Sequence, residues 1–182
     1  MKTCLFLLLM FISVNVMGQE EPLQCDTVIQ APGKSVSEIY TTVKAWVATS
    51  YNSANSVIQM DDAPNGIMIC KGRFQYEAPG GINYQYMDGY VDYTLKIQVR
   101  EGRYKVMVGN FIHQSTSPQF TKAWTFGQIT ESDEYQGKGD RRKKKVWPNL
   151  VISCKMEYMA IVVGLSGATS DNSGLLDTDD DW

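Results

Sequence analysis

The stretch GYVDYTLKIQVREGRYKVMVGNFIHQ, Gly89 to Gln114, decides how this chain folds. Val91, Tyr93, Leu95, Ile97 and Val99 alternate with Asp92, Thr94, Lys96, Gln98 and Arg100. Successive side chains of a strand point to opposite faces, so this pattern predicts one buried face and one wet face. A sheet solvated on one side is typically antiparallel. Glu101-Gly102 reads as a tight turn. The return strand then sets Tyr104, Val106, Val108 and Ile112 on one face. His113 falls at its end, beside Phe111 and Ile112, and is expected to be partly exposed.

Working outward on the N-terminal side, Val57 to Met60 and Ile67 to Tyr76 read as a hairpin. Asp62 to Gly66 is its loop, with Asn65-Gly66 suited to positive φ. A longer loop marked by Pro79-Gly80-Gly81 joins this hairpin to the central strands. Before the hairpin, Ser35 and Glu38 have the S-x-x-E spacing of a capping box. The helix they open has Val36, Ile39, Tyr40, Val43, Trp46 and Val47 on one stripe and is predicted to end near Tyr51. Pro32-Gly33 separates it from a short strand, Cys25 to Gln30.

On the C-terminal side the polar residues from Ser115 onward predict a long connection, 115–147, with a short strand or turn near Trp124 to Ile129. It closes with five consecutive cations, Arg141 to Lys145. A second helix is predicted from Pro148, a residue suited to a first helical turn. Leu150, Val151, Cys154, Tyr158 and Leu165 follow helical spacing, and Gly164 or Gly167 is expected to end it. Residues 168–182 read as an acidic, disordered tail. Two amphipathic helices must share the apolar face of one antiparallel sheet, because neither layer buries itself alone. The expected class is α+β.

The segments VIQAPGKSVSEIY, VIQMDD, YTLKIQV and EGRYKVMVGNF, with Trp46 and Lys71-Gly72, resemble a family of secreted bacterial proteins. It is the family named domain of unknown function 4468, with TBP-like fold. The Pro32-Gly33-Lys34-Ser35 turn with Glu38 and the Gly102-Arg103-Tyr104 turn are the most specific parts. The resemblance implies a β-α-β4-α architecture with two helices on one face of one antiparallel sheet. It also implies an exported location and carries no catalytic residue.

The first residues, MKTCLFLLLMFISVNVMGQE, combine Lys2, an apolar run and small residues before Gln19. This predicts a signal peptide over 1–18 and a single domain over 19–167. The expected location is therefore periplasmic or extracellular, with no transmembrane segment in the mature chain. Cys25, Cys70 and Cys154 are too widely spaced for a zinc framework. An exported chain permits one disulfide among them, but buried small hydrophobes are the expected reading.

The formal net charge of -3 argues against nucleic acid as a general partner, and so does export. A TBP-like sheet sits on DNA in its namesake, but fold does not carry function. His113 is the only histidine, and one titratable group is no catalytic constellation. GLSGA at Gly164–Ala168 lacks the spacing and the preceding strand of a nucleophile elbow. Asp177, Asp179 and Asp181 alternate like a calcium loop that then lacks its glycine and later ligands. No cofactor or metal is expected, and no enzyme.

Candidate partner contacts are Tyr84, Tyr86 and Tyr90 around the glycine-rich loop, and Arg141, Arg142, Lys143, Lys144 and Lys145. The wet sheet face of Thr94, Lys96, Gln98 and Arg100 joins them. The expected role is a non-enzymatic binding or interaction module, its partner a protein, a glycan or an anionic envelope component. The alternative is a carrier holding a small apolar ligand between the sheet and the last helix, near Leu95, Ile97, Leu150 and Cys154. For the cationic run, a further expectation is loose pairing with the acidic tail.

Overall fold

The computed structural model describes residues 21–51, 54–116, 124–137 and 141–170. The expected signal peptide and the tail beyond Ser170 lie outside the described residues. In chain order the elements are β1 (Gln24–Gln30), α1 (Val36–Ser50), a single helical turn α2 (Ala54–Val57), β2 (Ile58–Asp62) and β3 (Ile67–Tyr76). They continue with β4 (Gly89–Arg100), β5 (Arg103–Ser115), β6 (Gly127–Gln128) and α3 (Arg141–Ser170). The sheet runs β1-β5-β4-β3-β2, with β6 also beside β5, and every pairing is antiparallel. The fold is α+β, with α1 and α3 packed together on one face.

The alternation in β4 survives intact. Val91, Tyr93, Leu95, Ile97 and Val99 are buried under the helices, while Thr94, Lys96 and Gln98 line the opposite, half-exposed face. The capping box is also present. Glu38 N–H donates to Ser35 Oγ at 3.3 Å, and Ser35 N–H donates to Glu38 Oε2 at 2.7 Å. These bonds hold the Glu38 carboxyl below its usual pKa. Tyr40, buried on α1, donates to Asp61 Oδ1 of β2 at 2.6 Å and so fixes the helix to the sheet edge. The expected strand at Val57 begins one residue later, because Val57 closes the turn α2.

β5 departs from its expected pattern. Asp92 faces Ile112, yet Thr94 faces Gly109, so β5 holds one residue more than β4 across this interval. Asn110 takes the extra place at φ 55°, the left-handed conformation that asparagine tolerates better than most residues. Past this bulge the side-chain phase reverses. Phe111 and His113 turn into the core, and Ile112 faces outward, half-buried. The expectations that Ile112 is inward and His113 partly exposed are both corrected by this single residue.

The last helix also differs. It starts at Arg141, so the cationic run forms its first turn and Pro148 lies inside it. The connection expected over 115–147 is shorter by that much. The helix begins early because its first turns are anchored: Val146 and Trp147 are buried, and Trp147 Nε1 donates to Ser132 O at 2.8 Å. It also runs through both glycines to Ser170. Trp46 of α1 lies against Gly164, where a Cβ would sit 2.8 Å from the indole nitrogen. Gly164 therefore marks a close helix–helix approach instead of an end. At the C-terminus Tyr104 donates to Leu165 O at 2.9 Å, and the Lys34 ammonium donates to Thr169 O. A cation on exposed terminal carbonyls stabilises the end of a helix.

Candidate functional site

Two surfaces hold the residues singled out above. The first surrounds the start of α3. Lys143 Nζ lies 5.7 Å from the Trp124 ring centroid and 5.4 Å from those of Phe126 and Tyr135. It also donates to Thr125 O at 2.9 Å. Arg142 sits 6.0 Å over the Tyr86 ring and donates to its hydroxyl at 3.2 Å. Lys145 Nζ lies 5.8 Å from Tyr84. Tyr86 and Trp124 meet edge to face at 4.8 Å.

These contacts assign Tyr84, Tyr86, Arg142, Lys143 and Lys145 to a clasp that the chain fills with its own groups. Each cation–π contact contributes roughly 0.5–2 kcal/mol, depending on how dry it is. That offsets the cost of cations at a helix N-terminus, about 0.3–1 kcal/mol each. Arg141 and Lys144 are exposed outside the clasp. Tyr90 is separate again, on the open sheet face under the Arg73 guanidinium at 5.3 Å.

Beneath the clasp, His113 is wholly buried between Tyr76 and Phe126. Phe126 N–H donates to Nδ1 at 3.1 Å, so the proton is on Nε2, which donates to Met87 O at 3.0 Å. Burial pushes its pKa down to about 4, the Met87 carbonyl opposing and the Lys143 charge assisting. Both ring nitrogens are committed to structure.

The second surface is the sheet face turned away from the helices. Lys71, Arg73, Lys96, Arg100, Arg103 and Lys105 project there, against Asp26, Asp62 and Asp92. Arg73 pairs with Asp92 at 2.6 Å, and Lys105 pairs with Asp26 at 2.8 Å. Among the described residues Lys71, Lys96, Arg100 and Arg103 form no ion pair. Arg100 and Arg103 face each other directly in the β4–β5 register. A groove of about 530 Å³ opens at this end, lined by Val28, Gln98, Arg100, Arg103 and Lys105 among others. A second, of about 320 Å³, lies over Lys71, Arg73, Asp92 and Asn110.

Residues 26–114 match the family described as "Domain of unknown function (DUF4468) with TBP-like fold". Over this segment, just under half of the chain, the sequence is similar to that family. The match covers β1 to β5 with α1, which includes all six cations of the open face and stops short of α3 and the clasp. Among solved structures, a TBP-like protein from Parabacteroides distasonis superposes with TM-score 0.66 at 11% identity, over 84% of this chain and 95% of that one. A DUF4468 family protein from Bacteroides ovatus gives TM-score 0.53 at 16% identity, over 85% and 89% of the two chains. Both likenesses speak to the fold alone. No curated protein matches the sequence.

The cage around Lys143 was the least legible feature. Trp124, Phe126 and Tyr135 lie in the polar connection, without periodicity to announce them. The signal that does exist is compositional: aromatic residues recur in a segment otherwise built of small and charged ones. The paired arginines at 100 and 103 follow directly from the tight turn at Glu101-Gly102, since a two-residue turn fixes its flanking residues opposite each other.

Two remaining expectations concern the interior. Leu95, Ile97, Leu150 and Cys154 are all at 0% exposure within one continuous core, and none of them lines a described groove. The space proposed for a carried ligand is occupied by side chains. Cys25, Cys70 and Cys154 are free thiols, and burial pushes Cys70 up to about 11 and Cys154 up to about 12.

Proposed function

We propose that this chain is an exported, non-enzymatic binding module of the bacterial cell envelope that takes an anionic envelope component on its open sheet face. The observation that carries the reading is the concentration of charge. Among the described residues six cations share one face with three carboxylates, Asp26, Asp62 and Asp92, although the chain as a whole is net negative at -3. Like charges set directly opposite on neighbouring strands destabilise a sheet. The Arg100–Arg103 pair therefore costs the fold something, and an anionic group in the adjoining groove offsets that cost. Guanidinium pairs favour planar carboxylate or phosphate groups, which they bind in a bidentate manner.

The reading of location rests on the N-terminal sequence and on the family resemblance. The absence of enzymatic chemistry is supported by His113, whose two nitrogens are both engaged. α3 is by length and composition apolar enough to cross a membrane. Its sheet-facing residues Leu150, Cys154, Ile161 and Leu165 are packed in the core, which supports a helix that stays with the domain.

The test is retention of the purified chain on an immobilised acidic polysaccharide, with a duplex DNA column in parallel. The expected result is salt-sensitive retention on the polysaccharide that the Arg100→Glu/Arg103→Glu variant loses at least tenfold. Retention unchanged in that variant, or confined to DNA, overturns the reading.

A further inference from the structure

The side of α3 turned away from the sheet carries Ile152, Met156, Met159 and Val163, at 53, 66, 53 and 65% exposure. Their spacing of four, three and four residues places them within an arc of about 60°. A helix lying in a bilayer interface or on a globular core presents an apolar arc of about 100° or more, whereas a strip this narrow is the seam of two paired helices. Lys155, exposed at its flank, limits its width further.

The strip is complementary to itself. Its midpoint falls between Glu157 and Tyr158, so a second α3 laid antiparallel sets Ile152 against the partner's Val163 and Met156 against the partner's Met159. An isologous two-fold interface has this property. Charge gives an independent argument. The same register brings Arg141 and Lys144, the two cations of the first turn outside the clasp, beside the end of the other helix. There the sequence continues into Asp171, Asp177, Asp179, Asp180 and Asp181.

Within one copy these charges are badly placed to meet. Along the helix, Lys144 and Ser170 are about 40 Å apart. The nine residues from Ser170 to Asp179 reach at most about 30 Å when fully extended. A single tail thus falls short of its own basic run except at its last residues and at full stretch. Between two antiparallel copies, Arg141 and Lys144 of one lie beside the helix end from which the acidic sequence of the other continues.

We propose that the chain forms an antiparallel dimer through the outer face of α3, with Arg141 and Lys144 serving the acidic tail of a second copy. Sedimentation velocity over a wide concentration range tests this. The expected result is a shift from monomer to dimer as concentration rises, with Met156→Glu and Val163→Lys each weakening association at least tenfold. Both replace exposed side chains, and an unchanged far-UV circular dichroism spectrum confirms that they fold. Deleting residues 171–182, or raising salt, is expected to weaken the dimer several-fold. In an Ile152→Cys/Val163→Cys variant, oxidation is expected to join residue 152 of one copy to residue 163 of the other. A 152–152 link overturns the antiparallel arrangement. A chain that stays monomeric throughout, or a dimer indifferent to Met156→Glu, overturns the proposal. So does a monomer that instead binds phosphatidylglycerol vesicles through this strip.

Discussion

At the scale of single residues, His113 shows how one side chain couples the fold to pH. In the folded chain its pKa is held near 4, well below the usual value of 6.5, mainly by burial. Between these values the unfolded chain binds a proton that the folded chain refuses, so stability rises with pH across this window. Acidifying from pH 7 toward 4 is therefore expected to remove up to about 3 kcal/mol through this residue. Thermal melting at pH 7 and pH 5 checks it: the drop should be clearly smaller in His113→Gln than in the parent chain. An equal drop in both would assign the acid sensitivity to carboxylates.

Glycine gives a second contrast of the same kind. Gly167 has open space where a Cβ would go, so Gly167→Ala is expected to stabilise by about 0.5–1 kcal/mol through helix propensity. Gly164→Ala must instead push the Trp46 indole aside and is expected to destabilise by about 1–3 kcal/mol. Urea denaturation of the two variants should move the midpoint in opposite directions.

At the scale of elements, the clasp predicts unequal roles for adjacent lysines. Lys143→Ala removes three ring contacts and is expected to cost about 1–2 kcal/mol. Lys144→Glu relieves charge at an exposed helix start and should leave stability unchanged or raise it by about 0.3–1 kcal/mol. Chemical denaturation separates the two, and equal losses would mean that the rings are incidental.

The elements also show what sequence patterning can and cannot convey. β4 and the capped start of α1 were legible because each obeys a local rule: period two in one, a side-chain hydrogen bond three residues away in the other. The second half of β5 was not legible. Its phase depends on whether Asn110 is paired or bulged, which the neighbouring strand decides. The start of α3 was misplaced for a related reason. Pro148 and five cations argue locally against helix there, and the aromatic groups that outweigh them come from residues 84–147. Of the candidate contacts, the outward face of β4 was readable from alternation alone. That Tyr86 and Lys143 are spent within the chain required the tertiary structure.

At the scale of the whole molecule, the family match ends at residue 114 while the core does not. Leu150, Cys154, Ile161 and Leu165 of α3 cover sheet residues that the matched segment leaves bare. Truncation after residue 140 is accordingly expected to abolish cooperative melting, which calorimetry would show. A retained sharp transition would mean that α1 covers the sheet without help.

The contact between Lys34 and Thr169 joins the first turn of the domain to the end of its last helix. During synthesis the strands emerge first, and their lid is made last. At about 5–20 residues per second, the chain from Ser115 to Ser170 takes roughly 3–11 s to appear. For that interval the apolar face of a nearly complete sheet has only α1 to cover it. The nascent chain is then at its most adhesive, and any holding factor that serves it must act before the last helix is released.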